Sequence, residues 1–202
     1  MKIFVILMSL ILIFLGSGKV MAVDYESLQF RDGLVYAKEE SKPFSGTADS
    51  RYENGNMKLS ITFKNGEKDG LTHAWYENGQ MQRETTYKDG KRDGSDRSWS
   101  ESGQLTREVT FKEGKEDGLL QEWYGSGQLK SETVYKNGQK VGLIRSWYES
   151  GKPQMEATYK DGKKDGLVRM WYENGQLKME APFKDGKEDG PVRTWDENGE
   201  TL

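Results

Sequence analysis

The sequence contains no cysteine, so a disulfide framework, a thiolate nucleophile and a cysteine-ligated metal site are all excluded. Its one histidine, His73, leaves almost nothing for imidazole chemistry. It also lacks an excess of charge of either sign. The 30 Lys and Arg residues nearly balance 33 Asp and Glu, and no basic field exists to attract nucleic acid. Mean hydropathy is low, at −0.89, which by itself would fit a disordered chain. The aromatic content of 11% argues the other way, because rings at that density must be buried against something.

One long apolar run is present, at the start. Met1-Lys2 gives a positive beginning, Ile3 to Leu15 is apolar almost throughout, and a short polar stretch leads to Val20-Met21-Ala22. This is the layout of a secretory signal peptide, expected to span residues 1–22 with cleavage after Ala22. The run is short for a bilayer span, which needs about 20 apolar residues. Loss of Lys2 and Lys19 would leave 28 positive against 33 negative charges, a net of −5.

The remainder is one unit written repeatedly. Trp75, Trp99, Trp123, Trp147, Trp171 and Trp195 are each separated by 24 residues. Glycines keep the same step from Gly70 to Gly190, Gly66 to Gly186 and Gly79 to Gly199, and the register reaches back through Gly46 and Gly55. Turn signals such as Glu173-Asn174-Gly175-Gln176 and Lys160-Asp161-Gly162-Lys163 divide each unit into two runs rich in Thr, Val, Tyr, Phe and Trp. Those runs are strands. The expected fold is all-β: an elongated antiparallel meander of hairpins, about seven 24-residue units over residues 46–202, preceded by a divergent capping hairpin at 23–45. A single unit cannot bury enough surface to stand alone, so stability must come from stacked neighbours. At about 4.8 Å per strand the ribbon should extend roughly 60–70 Å. Pro191, in place of leucine in the last strand, reads as edge protection.

Alternation places Leu71 with Trp75 and Leu105 with Val109 and Phe111, against Thr106, Glu108 and Thr110 on the opposite face. Glu84, Glu108, Glu132, Glu156 and Glu180 should form one solvated column with cross-strand pairing, and Lys64 to Lys184 another. The tryptophan column, with Tyr87, Phe111, Tyr135, Tyr159 and Phe183 beside it, is both the expected core and the candidate binding groove, since a long aromatic patch marks an interaction surface. Asp-Gly-Lys-x-Asp-Gly, as in Asp161 to Gly166, reads as a turn, because lysines intrude where a calcium loop needs oxygens. His73 occupies a position filled elsewhere by Arg97, Gln121, Arg145, Arg169 and Arg193, a polar rim position. No catalytic, cofactor or metal residues are expected. Glutamates in equal environments do not acquire the unequal pKa values that acid–base pairs require.

The pattern Trp171-Tyr172-Glu173-Asn174-Gly175-Gln176-Leu177-Lys178, followed by Phe183-Lys184-Asp185-Gly186-Lys187-Glu188-Asp189-Gly190, resembles the MORN-repeat variant, named for membrane occupation and recognition nexus. Bacterial proteins with this repeat are commonly labelled YwqK-family antitoxins. The resemblance implies an all-β ribbon used for protein or lipid contact, with no chemistry of its own. Its implied partner is a protein, either a toxin or a surface protein, and an export signal fits immunity against an exported toxin better than a cytoplasmic antitoxin. A cell-surface adhesin or host-contact protein, envelope glycan or choline binding, and membrane association are the alternatives. A net of −5 disfavours anionic lipid.

Overall fold

The computed structural model describes residues 22–202, so the expected export signal lies, but for Ala22, outside the described residues. From Gly46 onward the chain is an antiparallel meander. Outgoing strands Gly46–Arg51, Glu67–Trp75, Lys91–Trp99, Gly118–Trp123, Gln139–Trp147 and Lys163–Trp171 alternate with return strands Met57–Lys64, Met81–Lys88, Leu105–Lys112, Leu129–Lys136, Pro153–Lys160 and Leu177–Lys184. Neighbours in sequence are neighbours in one 16-stranded sheet.

Two different turns build this path. At the lysine edge, Asp89 and Gly90 both take positive φ, 46° and 75°, and Lys88 pairs directly with Lys91. That is a two-residue type I′ loop, whose twist suits the flanking strands. At the opposite edge only the glycine is left-handed. Gly79, with φ 88°, donates to the Tyr76 carbonyl at 2.9 Å, and Tyr76 donates to that of Gln80 at 2.9 Å. The Asn-Gly and Asp-Gly signals therefore make unlike turns on the two edges.

The glycine heading each outgoing strand serves a third purpose. Between the Thr85–Asp96 and Tyr87–Arg92 pairs, one strand advances two residues and the other four, so a bulge lies at Asp93–Ser95. Gly94 sits there with φ 120°, and a Cβ on it would lie 2.9 Å from the Cβ of Thr86. Only glycine allows that approach.

The buried column runs down one face, here the core face. Register pairs Ala48–Ile61, Thr72–Thr85, Asp96–Val109, Leu120–Thr133, Ile144–Ala157 and Val168–Ala181 supply it, one pair per hairpin. Apart from half-buried Thr72, these residues are at most 8% exposed. The expectation that the tryptophans form the core is corrected: all six are half-buried, and the centre is filled by small and β-branched side chains. A single-layer sheet excludes water best over residues short enough for their neighbours to close across. Phe111 and Tyr135 do this for Val109 and Leu120.

Residues 23–45 cover the first hairpin. Val23–Asp24 adds in parallel beside Ala48 and Asp49, Tyr25–Ser27 forms one 3-10 turn, and Leu28–Arg31 pairs with Leu34–Ala37 in a separate two-stranded sheet. Val23, Leu28, Val35 and Phe44 pack on Ala48, Ile61 and Phe63. At the other end the last outgoing strand survives only as Lys187–Glu188 and Arg193–Thr194, with Pro191 in the interruption. Among the described residues, no helix is long and apolar enough to cross a membrane.

Candidate interaction face

The eleven candidate rings do not share one groove. Tyr87, Phe111, Tyr135, Tyr159 and Phe183 lie three residues beyond the ladder glutamates Glu84, Glu108, Glu132, Glu156 and Glu180, and three is odd, so strand alternation puts rings and glutamates on opposite faces. The rings therefore belong to the core face. The tryptophans go with the glutamates. The Trp75 ring stands 5.6 Å from that of His73, whose Nε2 meets Glu84 Oε2 at 3.1 Å. Trp99 lines a shallow depression with Gln80, Met81, Glu84, Arg97 and Gly103.

Alternation along the outgoing strand, from core-face Thr72 through His73, already puts Trp75 on the glutamate face, and a second bulge, in the return strand, brings an apolar residue beside it. After Ala74 the register slips, so that Ala74 pairs with Arg83 but Trp75 with Met81. The same slip follows Ser98, Glu122, Ser146 and Met170. Five of the six tryptophans thereby pair with the apolar residue opening the next strand, Met81, Leu105, Leu129, Pro153 and Leu177, and Trp195 bridges to Thr201. Leu71 fares differently. It lies on the tryptophan face but is 44% exposed, and no core packing reaches it.

Three lanes cross this ladder face. The first is the tryptophans with their Met, Leu and Pro partners. The second is ionic. Arg97 Nε donates to Glu108 Oε1 at 2.6 Å, Arg145 Nε to Glu156 Oε1 at 3.2 Å, and Arg169 Nε to Glu180 Oε2 at 3.0 Å. Arg97 also approaches Glu84 at 3.9 Å and Arg193 approaches Glu180 at 3.7 Å, so sign alternates from strand to strand. His73 opens the series, and Gln121 interrupts it by donating to Glu132 at 2.8 Å. The third lane is aliphatic and open: Leu119 is 42% exposed, Leu143 39% and Val134 36%, with Leu119 and Val134 directly paired.

On the core face the rings already hold partners. Lys68 lies over Tyr87 at 5.0 Å, Arg92 over Phe111 at 4.7 Å, Lys140 over Tyr159 at 5.6 Å and Lys164 over Phe183 at 4.7 Å. At Tyr135 the position is Glu116, which pairs with Arg107 at 3.0 Å instead. Burial first, and then the Glu116 carboxylate, raise the Tyr135 phenol above its usual pKa. One buried charge breaks the core column. Asp96, 0% exposed, accepts from Arg83 Nε at 3.1 Å and Nη2 at 2.6 Å, with Arg92 at 3.5 Å. The hydrogen bond to Asp96 raises the Arg83 pKa further.

Sequence reading missed the tyrosine that follows four of the six tryptophans, and Arg51 at the same step. Tyr52, Tyr76, Tyr124, Tyr148 and Tyr172 donate their hydroxyls to the carbonyls of Trp75, Trp99, Trp147, Trp171 and Trp195, at 2.7–3.0 Å. Every bond joins one repeat to the next and so holds the tryptophan lane in place. Ser100 breaks the series, bonding Ser102 instead. The recurrent Trp-Tyr pairing was the available signal. Among the described residues no cluster of three or more metal-ligating side chains occurs.

Curated proteins give no match to this sequence. Four stretches of the chain, residues 68–89, 116–137, 140–161 and 164–185, match the MORN repeat variant, each running from an outgoing strand through the return strand to the lysine-edge turn.

Proposed function

We propose that this chain is an exported, non-catalytic ribbon that binds a protein, an exported toxin or a surface protein, through its ladder face. The observation that carries the reading is the three-lane composition of that face. Half-buried tryptophans, alternating Arg and Glu, and exposed aliphatics occur together on one side of a sheet, with no other described element packed over them. Trp and Arg are the residues enriched where protein interfaces concentrate their energy, and Leu143, Leu119 and Val134 add apolar area. The core-face rings are less available, since their π-faces hold Lys and Arg of the same chain. Against catalysis stands the repetition of the glutamates, each held by the cross-strand residue at the same register position, an arginine in three of the five. Export rests on the layout of residues 1–22.

The test is affinity capture from secreted and surface protein fractions, comparing the wild type with a Trp123→Ala, Trp147→Ala variant. A partner retained by the wild type and lost by the variant is expected. Equal retention by both, or none by either while an unrelated bait succeeds, overturns the reading.

A further inference from the structure

We infer that the ladder face is self-complementary and that its occupant is a second copy of this chain, docked face to face about a two-fold axis parallel to the strands. The inference rests on reading this face as a protein-docking surface and names what covers it. Such an axis keeps each lane on its own kind and reverses strand order, so tryptophans meet the tryptophan lane and aliphatics the aliphatic lane. The sign of the charge then decides the register. Arginines sit on outgoing strands and glutamates on return strands. Only an axis passing between two adjacent strands, and not through one, therefore sets opposite charges together.

The axis between Leu129–Lys136 and Gln139–Trp147 satisfies this and does more. It places Glu132 against Arg145 of the partner subunit and Arg145 against the partner's Glu132. One step out, Gln121 faces Glu156 of the partner subunit, and two steps out Glu108 faces the partner's Arg169. No like-charged pair falls in that set. Within one chain Glu132 and Arg145 are register neighbours, yet Glu132 is bonded to Gln121 and Arg145 to Glu156. The exposed aliphatics also gather at this axis. Val134 and Leu143 occupy the two strands beside it and Leu119 the next, so Val134 of each copy meets the partner's Leu143.

Area is compatible with the same occupant. About this axis the eight strands from Lys91 to Lys184 overlap their counterparts, and lanes about four residues wide on strands about 4.8 Å apart give a patch on the order of 500 Å² per copy. Two such patches bury about 1,000 Å² together, the lower bound for a specific pair.

The experiment uses the chain expressed from residue 1 and purified as its host processes it, with mass measured in solution by sedimentation and far-UV circular dichroism confirming the fold. The wild type is expected to be a dimer at about 100 μM. Glu132→Arg brings a second guanidinium up to the partner's Arg145, and Arg145→Glu brings a second carboxylate up to the partner's Glu132. Each variant alone should therefore dissociate at least about tenfold more readily. Mixed one to one, the two variants face each other with guanidinium against guanidinium at neither contact: the first variant's Arg145 and new guanidinium meet carboxylates on the second. The mass should return to that of a dimer. Repulsion inside each chain is unchanged by mixing, so recovery reads the contact between copies. Val134→Lys should be a folded monomer. A monomeric wild type, or variants that fail to recover on mixing, overturns the inference. Capture of a foreign protein by a monomeric chain would leave the protein-binding reading standing while removing this one.

Discussion

Removing one oxygen from the tyrosine ladder gives a direct measure of how firmly the repeats are joined. Tyr76→Phe keeps the ring and deletes the 2.8 Å bond to the Trp99 carbonyl. A net hydrogen bond contributes about 0.5–1.5 kcal/mol, and more where the remaining partner is shut off from water. Trp99 is only half-buried, so its carbonyl partly recovers water and about 1 kcal/mol is the reasonable cost. For a chain of this length that corresponds to a melting point lower by about 2–4 °C. Tyr124→Phe, which deletes the 2.9 Å bond to the Trp147 carbonyl, should match it. The opposite change, Ser100→Tyr, should fill the one gap and raise stability by a similar amount, after displacing the 2.8 Å contact between Ser100 and Ser102. Urea unfolding followed by tryptophan fluorescence measures all three on the same footing. Losses from the two Phe variants with no gain from Ser100→Tyr would show that geometry at the third hairpin, not the missing hydroxyl, sets the gap. Phe variants indistinguishable from wild type would refute the idea that these bonds hold the lane.

The Asp96 cluster should respond asymmetrically. Arg83→Ala strands a fully buried carboxylate with only Arg92 at 3.5 Å, a loss of about 3 kcal/mol, whereas Asp96→Val copies Val168 in the same column, frees an arginine that is 45% exposed, and should be near neutral in urea unfolding. Acid should loosen the lysine edge. The Lys136 ammonium first, then the Asn137 amide, hold Asp117 below its usual pKa of 3.8, so its contribution is present above that value and lost as pH falls through the lower folded pKa; Asp117→Asn should flatten a melting-point profile in that window. Asp165, held down chiefly by Lys184, should behave the same way. Two glycine substitutions should differ in sign: Gly94→Ala forces a Cβ against Thr86 and should lower the melting point by several degrees, while Gly125→Ala, with nothing within 4 Å and no positive φ, should raise it slightly.

The repeat, the hairpins and the turn edges are legible in the sequence because glycine at a fixed step reports backbone conformation directly. The placing of Val109 with Phe111 on one face also follows from alternation. Alternation also sets Trp75 correctly with Leu71; what it cannot deliver is the side on which Leu105 lies, because the slip after Ser98 puts an extra residue into its strand, and nothing in the residues there announces a bulge. The expected core fails for a related reason. Tryptophan is the largest apolar residue in the unit, but a one-layer sheet buries what is short, and so Ala157 and Ala181 lie deeper than any ring. Asp96 is illegible for the opposite reason, since a carboxylate in a strand gives no sign that two arginines from the same and the preceding strand close over it.

Asp96 has a further consequence, for the order in which the ribbon is assembled. Units this alike offer a folding chain many nearly equivalent partners, and a hairpin that skipped its neighbour would still find a matching strand. The third hairpin is the exception. Next to the second it sets Asp96 against Arg83; next to the first it would set the same carboxylate against Leu59, buried and answered only by Arg92 of its own strand. One charged residue thus gives an otherwise interchangeable series a fixed place to count from.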